Sequence, residues 1–425
     1  MTEPDCSSMP LDGLSAHLRP GDAVIWGQGG AEPTPLTQAL VAERRQFSPL
    51  SVFVGVNFTD TILPEHTDAL RVSSYGAFGS SRRLAAAGAL EIIPCHVSRL
   101  GPSIKAGLIP CDVALVQVSP PGPNGRHSLG VINDYMRIAL SLARAVIVEV
   151  NDQYPWTYGP ELPDLGRVAL RLETSRPPVS APRSSPSLVE RAIAEHAAAI
   201  IPDGATLQVG IGGTIDALLQ CLTDRRDLGI HSGSMGDGLL DLIEAGVVTN
   251  ARKPIDAGVT VVAALFGGAR LLKAADRNPA FEVHPYEYTH GASVLAQIHN
   301  LVAVNSAVEV DITGQVNAEV ADGRYVGAVG GQVDFMHAAT RAADGYSIIA
   351  LPSTAAGGRV SRIRAEVQTV TSARSEVDFV VTEHGAANLR GQSLRERMRR
   401  MIAIAHPQFQ ESLEREAHQR MRQGF

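Results

Sequence analysis

Short apolar runs alternate along this chain with stretches of helical spacing, and the alternation comes round twice. Arg19-Pro20-Gly21-Asp22 turns into Ala23-Val24-Ile25-Trp26, which opens onto Gly27-Gln28-Gly29-Gly30 and a helical Pro35–Leu40. Later, Ile201-Pro202-Asp203-Gly204 leads into Ala205-Thr206-Leu207-Gln208-Val209, then Gly210-Ile211-Gly212-Gly213 and a helical Ile215–Gln220. Gly27, Gly29 and Gly30 fall on Gly210, Gly212 and Gly213 with a single offset of 183 residues. Each copy reads as a turn, a buried strand, a glycine loop and a helix. The echo continues in order: Asp112–Val118 answers Leu301–Asn305, and Ala145–Val150 answers Ser347–Leu351. Strands that alternate with helices imply parallel-rich sheets, so the pattern predicts two tandem α/β domains, residues 1–180 and 188–425. The Pro- and Ser-rich Ser175–Ser187 reads as the linker. Leu394–Arg422 mixes Glu and Arg at helical spacing, with Glu411/Arg415 and Glu416/Arg420 as i,i+4 partners of a docked C-terminal helix.

Composition acts mainly by exclusion. With 425 residues, 44% of them hydrophobic, the chain can bury the cores of two or three domains. A net charge of −7 supplies no global positive field for nucleic acid. Cys6, Cys95, Cys111 and Cys221 stand far apart, without CxxC or zinc spacing, so reduced thiols are expected and no metal. Met1–Pro10 is polar, with no apolar core of a secretory signal, and runs such as Val259–Phe266 are too short for a bilayer. A cytoplasmic protein without a membrane partner is the expectation.

Several motifs together resemble the acetyl-CoA hydrolase/transferase family of CoA-transferases. They are Gln208–Gly212, Asn305–Asn317, Gly330-Gly331-Gln332-Val333-Asp334-Phe335, Val381–Gly385 and Leu389–Arg397, with Gln117–Pro121 and Ser128–Gly130 in the first half. The resemblance spans almost the whole chain in the family's order. It implies two tandem CoA-transferase-like (NagB/RpiA-like) domains, a site in the cleft between them, coenzyme A or acyl-CoA as substrate, and a homodimer. In that family a glutamate attacks the thioester and carries CoA through a glutamyl-CoA intermediate to an acceptor carboxylate. Its motif is similar to His-Ser/Thr-Glu-Met-x-Ser-Asp-Gly. Here His231, Ser232, Asp237 and Gly238 stay in register, while Gly233 stands in the place of the glutamate and Gly236 in that of the later serine.

The resemblance also places oxyanion donors at Asn305 and at the backbone of Gly330 and Gly331, where a capping amide and a tight turn are the plain structural alternatives. Gly210, Gly212 and Gly213 ahead of a helix can bring N–H groups to an anionic or amide ligand, with Gln208, Gln332 and Asp334 as further CoA-binding positions. Lys253, Arg270, Lys273, Arg359 and Arg362 can pair with phosphates, or are ordinary surface charges. Glu319 is a substitute acid to weigh. His231, His337, His384, Asp237 and Glu319 are the general-base candidates. His337 stands just past Asp334-Phe335, where the family often has Arg. Ser232 and Ser234 lack the elbow of a serine nucleophile, and Cys221 reads as buried and inert.

A glycine at 233 removes a negative charge and is expected to open space beside the thioester carbonyl for another nucleophile. The function expected is therefore an acyl-CoA-utilising enzyme that transfers or hydrolyses the acyl group, by acyl transfer, cyclisation or hydrolysis, without a glutamyl-CoA intermediate. Its acyl acceptor is unidentified. One alternative is a true CoA-transferase using a substitute acid such as Glu319, and another is a non-catalytic acyl-CoA-binding protein.

Overall fold

The computed structural model describes residues 13–123, 125–160, 162, 168–181 and 185–424. Strands β1 (Ala23–Trp26), β2 (Leu50–Val54), β3 (Leu70–Ser74), β4 (Glu91–Ile92), β5 (Val113–Val118), β6 (Ala145–Asn151) and β7 (Val168–Thr174) form one parallel sheet in the order 4-3-2-1-5-6-7. The second sheet comprises β8 (Thr206–Val209), β9 (Gly229–Met235), β10 (Thr260–Leu265), β11 (Phe281–Val283), β12 (Leu301–Asn305), β13 (Tyr346–Ala350), β14 (Phe379–Thr382) and β15 (Gly385–Asn388). Its order is 11-10-9-8-12-13-14-15, parallel except where β15 turns back on β14. The first seven strands of this order repeat the first sheet, with β8 in the place of β1 and β12 in that of β5. Central strands such as β5 and β10 are buried at every residue, which is why they read as unbroken apolar runs rather than as alternating ones.

In each sheet the chain leaves one central strand to one side and returns on the other, at β1/β5 and at β8/β12. Ligands of open parallel sheets sit in the crevice outside the carboxyl ends at that reversal. The two crevices differ. In the first, a side chain on Gly29 would meet Phe266 at 3.0 Å and Phe58 at 3.1 Å, so aromatic packing fills it. In the second, side chains on Gly210 or Gly212 would meet nothing within 4 Å.

The halves are knitted by main chain. Asn133 N donates to Ala263 O (3.0 Å) and Leu265 N to Val131 O (2.8 Å), while Ala77 N and Val97 N donate to Gly327 O and Gly330 O. The segment after β7 runs without regular structure along the described part of the expected linker. Its Arg176 forms a bidentate pair with the fully buried carboxylate of Glu149 on β6, at 2.7 and 2.8 Å, and also reaches Gln117 Oε1.

The C-terminal stretch is two helices, Leu394–Ala403 and Pro407–Arg422, rather than one. Pro407 can begin a helix but cannot continue one, since it lacks the N–H that the preceding turn would use. Arg415 pairs with Glu411 as the spacing predicts, whereas Arg420 reaches across to Glu366 at 2.6 Å.

Arg176→Ala is expected to cost about 3–5 kcal/mol, because it strands the Glu149 carboxylate in the core. Urea unfolding checks this. A companion Arg176→Ala/Glu149→Gln variant should regain part of the loss.

Candidate active site

The motif around Gly233 lies on β9, whose alternation sends His231 and Gly233 to one face and Ser232 and Ser234 to the other. The two serine hydroxyls both donate to Val209 O, at 3.1 and 3.4 Å. They therefore point away from His231, and no His–Ser pair exists to activate either of them. His231 is fully buried; its Nε2 donates to Thr289 O at 3.1 Å, and its Nδ1 lies 4.0 Å from Asp256 Oδ2. Burial, and then the nearby Lys253 charge, push the His231 pKa down to about 4, so it is neutral near pH 7. Lys253 itself is a core residue, not a surface cation. Its ammonium donates to Ile230 O (2.9 Å) and Val259 O (2.6 Å), and burial lowers its pKa to about 8.

The space left by the missing side chain at position 233 is not open. A Cβ built there would stand 2.8 Å from Nε2 and 2.9 Å from Cε1 of His290. The expectation of a void beside Gly233 is thus corrected: a glycine lets an imidazole approach the strand backbone, and this imidazole does. The same ring edge abuts Gly331, where a Cβ would come within 2.3 Å of Nε2. His290 follows the short helix Tyr286–Thr289 and is 4% exposed. Phe335 packs on its ring at 4.5 Å between centroids and Tyr286 meets it edge-on at 5.0 Å. Its Nδ1 lies 2.8 Å from Thr289 Oγ1, and that hydroxyl donates back to Pro285 O. With the hydroxyl proton assigned to Pro285 O, Nδ1–H donates to Thr289 and the ring lone pair sits on Nε2. Burial, with a smaller contribution from His231, pushes the His290 pKa down to about 3.

Gly330 and Gly331 precede the helix Gln332–Arg341, with Gly330 in the left-handed region (φ +61°) and its side-chain position open. Asn305 ends β12, and its amide is paired reciprocally with Gln208 of β8 (2.9 and 3.2 Å). Each amide keeps one N–H outside that pair. Asp334 accepts from Ser98 of the first half at 2.9 Å, while its other oxygen is buried without a partner and burial raises its pKa. Together with His96, His290 and His337 it lines a cavity of about 520 Å³, walled otherwise by residues such as Leu295, Ile298 and Ala338. His337 lies at its half-exposed rim, 3.4 Å from Glu376. Gln332 turns aside to Ser372.

Glu319 belongs to another cluster. One carboxylate oxygen accepts from Thr371 at 2.7 Å and the other from Tyr325. It is engaged in holding its loop. Glu383 is likewise held by Ser353, with His384 Nε2 at 3.8 Å.

A second cavity, of about 650 Å³, lies over the glycine loop. Gly210, Ile211 and Gly212 line it with Gly236, Asp237 and Phe266, and the linker residues Ala181, Ser185 and Pro186 cross it. Gly213 instead packs on Glu190. Among the described residues its walls include Asp216, Asp237 and Asp241 and no lysine or arginine, so they suit an uncharged amide arm better than a phosphate. Arg270 is engaged by Asp241. Among the described residues no cluster of three or more His, Cys, Asp or Glu side chains could hold a metal ion, and no helix is long and apolar enough to cross a membrane.

Two parallel sheets related by duplication, with glycine loops and an amide pair at one switch-point cleft, define an acyl-CoA-handling α/β enzyme of CoA-transferase architecture. Residues 10–162 match the acetyl-CoA hydrolase/transferase N-terminal domain and residues 267–417 the C-terminal domain. The chain is 38% identical over 398 residues to the 4-hydroxybutyrate coenzyme A transferase of Clostridium kluyveri, covering 92% of both proteins. Among solved structures, RipA from Yersinia pestis superposes with a TM-score of 0.91 at 32% identity over 97% of each chain. The 4-hydroxybutyrate CoA-transferase from Porphyromonas gingivalis does so with 0.83 at 34% over 96%. This chain belongs to the acetyl-CoA hydrolase/transferase family, and it is an acyl-CoA transferase/hydrolase-like enzyme. Gly233 falls between the two matched ranges.

Sequence reasoning missed His290. Nothing in Tyr286-Glu287-Tyr288-Thr289-His290-Gly291 marks it; the one usable signal was the glycine itself, since a side chain removed from a packed strand must be replaced by something. The sequence reading also left unassigned the buried network of Gln28, which donates to Asp134 (2.7 Å) and Tyr286 (2.8 Å) and accepts from Tyr75.

Gly233→Ala should cost about 1–3 kcal/mol by overpacking, and less in a His290→Ala background; a double-mutant cycle from urea unfolding measures the coupling. The acid limb is a second expectation. His231 and His290 have folded pKa values near 4 and 3 against 6.5 unfolded, so the unfolded chain binds more protons in between. Their contribution to stability is full above about pH 6.5 and is lost as pH falls through the folded values. His290→Gln should flatten the fall of the urea midpoint between pH 6.5 and 4.

Proposed function

We propose that this enzyme passes the acyl group of an acyl-CoA directly to an acceptor or to water, with no glutamyl-CoA intermediate. The observation that carries this reading is the one at Gly233. Glycine stands at the position where the resemblance places the nucleophilic carboxylate, and an imidazole rather than another acid stands against it. Against a substitute acid at Glu319 speaks its engagement elsewhere, since each of its oxygens accepts a hydrogen bond from Thr371 or Tyr325.

What remains suits stabilisation of a tetrahedral intermediate. As a nucleophile adds to the thioester carbon, negative charge gathers on the carbonyl oxygen. The second N–H of Asn305 and the main chain at Gly330-Gly331, ahead of a helix N-terminus, are donors fixed before the reaction begins. Such donors act on the oxyanion whichever nucleophile forms it. The Gly210–Gly212 loop offers main-chain groups to the pantetheine arm, and the small apolar residues of the 520 Å³ cavity suit a short acyl chain. Relatives named for 4-hydroxybutyrate support an acyl group of that size.

The test is thioester loss and product mass from a panel of short acyl-CoAs, with intact-protein mass recorded during turnover. Free CoA should appear with no CoA-sized adduct on the protein, and hydroxylamine should trap no glutamyl hydroxamate. An adduct on any glutamate would restore the CoA-transferase mechanism. A protein that binds CoA yet leaves every thioester intact would be the non-catalytic form. Asn305→Ala should lower turnover by about 10²–10³-fold, the effect of losing one oxyanion donor.

A further inference from the structure

We infer that His290 is the general base of this enzyme, with Nε2 taking the proton of the acceptor as it attacks the thioester. This rests on the direct-transfer reading above. The argument is one of place. Nε2 is the atom nearest the position at which the side chain of residue 233 would begin, and equally the atom nearest Gly331 beside the oxyanion donors. A group at that point stands between the strand that carries the family's nucleophile and the loop that faces the carbonyl oxygen.

Its chemistry fits the place. The ring is clamped by Phe335 and Tyr286, and Nδ1 is held by Thr289, so the lone pair on Nε2 has one direction. Among the described residues Nε2 makes no hydrogen bond, and the ring lines the cavity between the halves. The motif residue His231 supports the arrangement from beneath, by donating to the carbonyl of Thr289, the residue before His290. The imidazole reaches this point only because neither glycine carries a side chain.

The step balances without a further reactant. The O–H of a hydroxyl acceptor or of water gives its proton to Nε2 as its oxygen bonds to the acyl carbon. The tetrahedral intermediate then expels the CoA sulfur, and the imidazolium returns that proton to the thiolate, leaving an ester or acid and free CoA. The same residue serves as base and then as acid.

The experiment compares wild type with His290→Gln and His290→Asn on the acyl-CoA that wild type consumes fastest. Folding is followed by circular dichroism and CoA affinity by calorimetry. Loss of a positioned general base should lower kcat by about 10²–10⁴-fold with CoA affinity unchanged, and added imidazole should restore part of the rate in His290→Ala. Folded variants that keep kcat within a few-fold overturn the inference. For wild type itself, nitrogen-15 histidine spectra should show His290 as the Nδ1–H tautomer, with Nε2 shifting when a non-cleavable S-alkyl-CoA binds; an unmoved signal overturns it without any variant. If wild type consumes no thioester, the direct-transfer reading fails, and the titration still decides whether Nε2 meets the acyl end. If wild type turns over while His290 is dispensable, only the present inference fails.

Discussion

Two side chains that are missing govern what can meet in the cleft of this protein. Gly233 on β9 and Gly331 ahead of the helix Gln332–Arg341 leave a slot that one imidazole edge fills, with closest approaches that no Cβ would tolerate. The ring that fills it is bound to Thr289 on one side and to aromatic neighbours on the others, so the slot has an occupant of fixed orientation. Tyr286, one of those neighbours, accepts from the Gln28 amide, which also donates to Asp134 of the first half. His290 is thus packed against a residue that the first half holds as well.

The duplicated fold explains why there is one such cleft rather than two. Both sheets have the same strand order and the same glycine loop after the first central strand. In the first copy Phe58 and Phe266 close over Gly29, and the amide and carboxyl groups beneath become a buried structural network. In the second copy, among the described residues, nothing lies within 4 Å of a side-chain position at Gly210 or Gly212, and a cavity remains. Identical topology thus yields a brace in one half and a cavity in the other, decided by a few aromatic side chains.

Burial sets the charge state of the two histidines around Gly233. Lys253, buried under β9, donates to main-chain carbonyls, and burial, with the Lys253 charge as a smaller contribution, keeps His231 unprotonated. With glycine at position 233, no carboxylate there favours an imidazolium in the ring beside it. A neutral His290 is consistent with that loss: burial of the ring without an acid partner holds its pKa far below the ordinary value.

Periodicity alone determined the duplicated strand–glycine loop–helix units, their 183-residue offset and the two-sheet architecture, because runs of buried residues and glycine punctuation are local properties of a chain. The motif resemblance likewise determined the family and the absence of an acid at position 233. Tertiary structure decided what that absence means. Which side chain occupies a vacated position, whether Glu319 is free or tied to Tyr325 and Thr371, whether Lys253 faces solvent or main-chain carbonyls, and where Arg420 finds its partner are outcomes of packing between elements distant in sequence. Local pattern records which apolar runs are buried; it carries no record of the atom against which a residue packs, and the chemistry of this cleft turns on that atom.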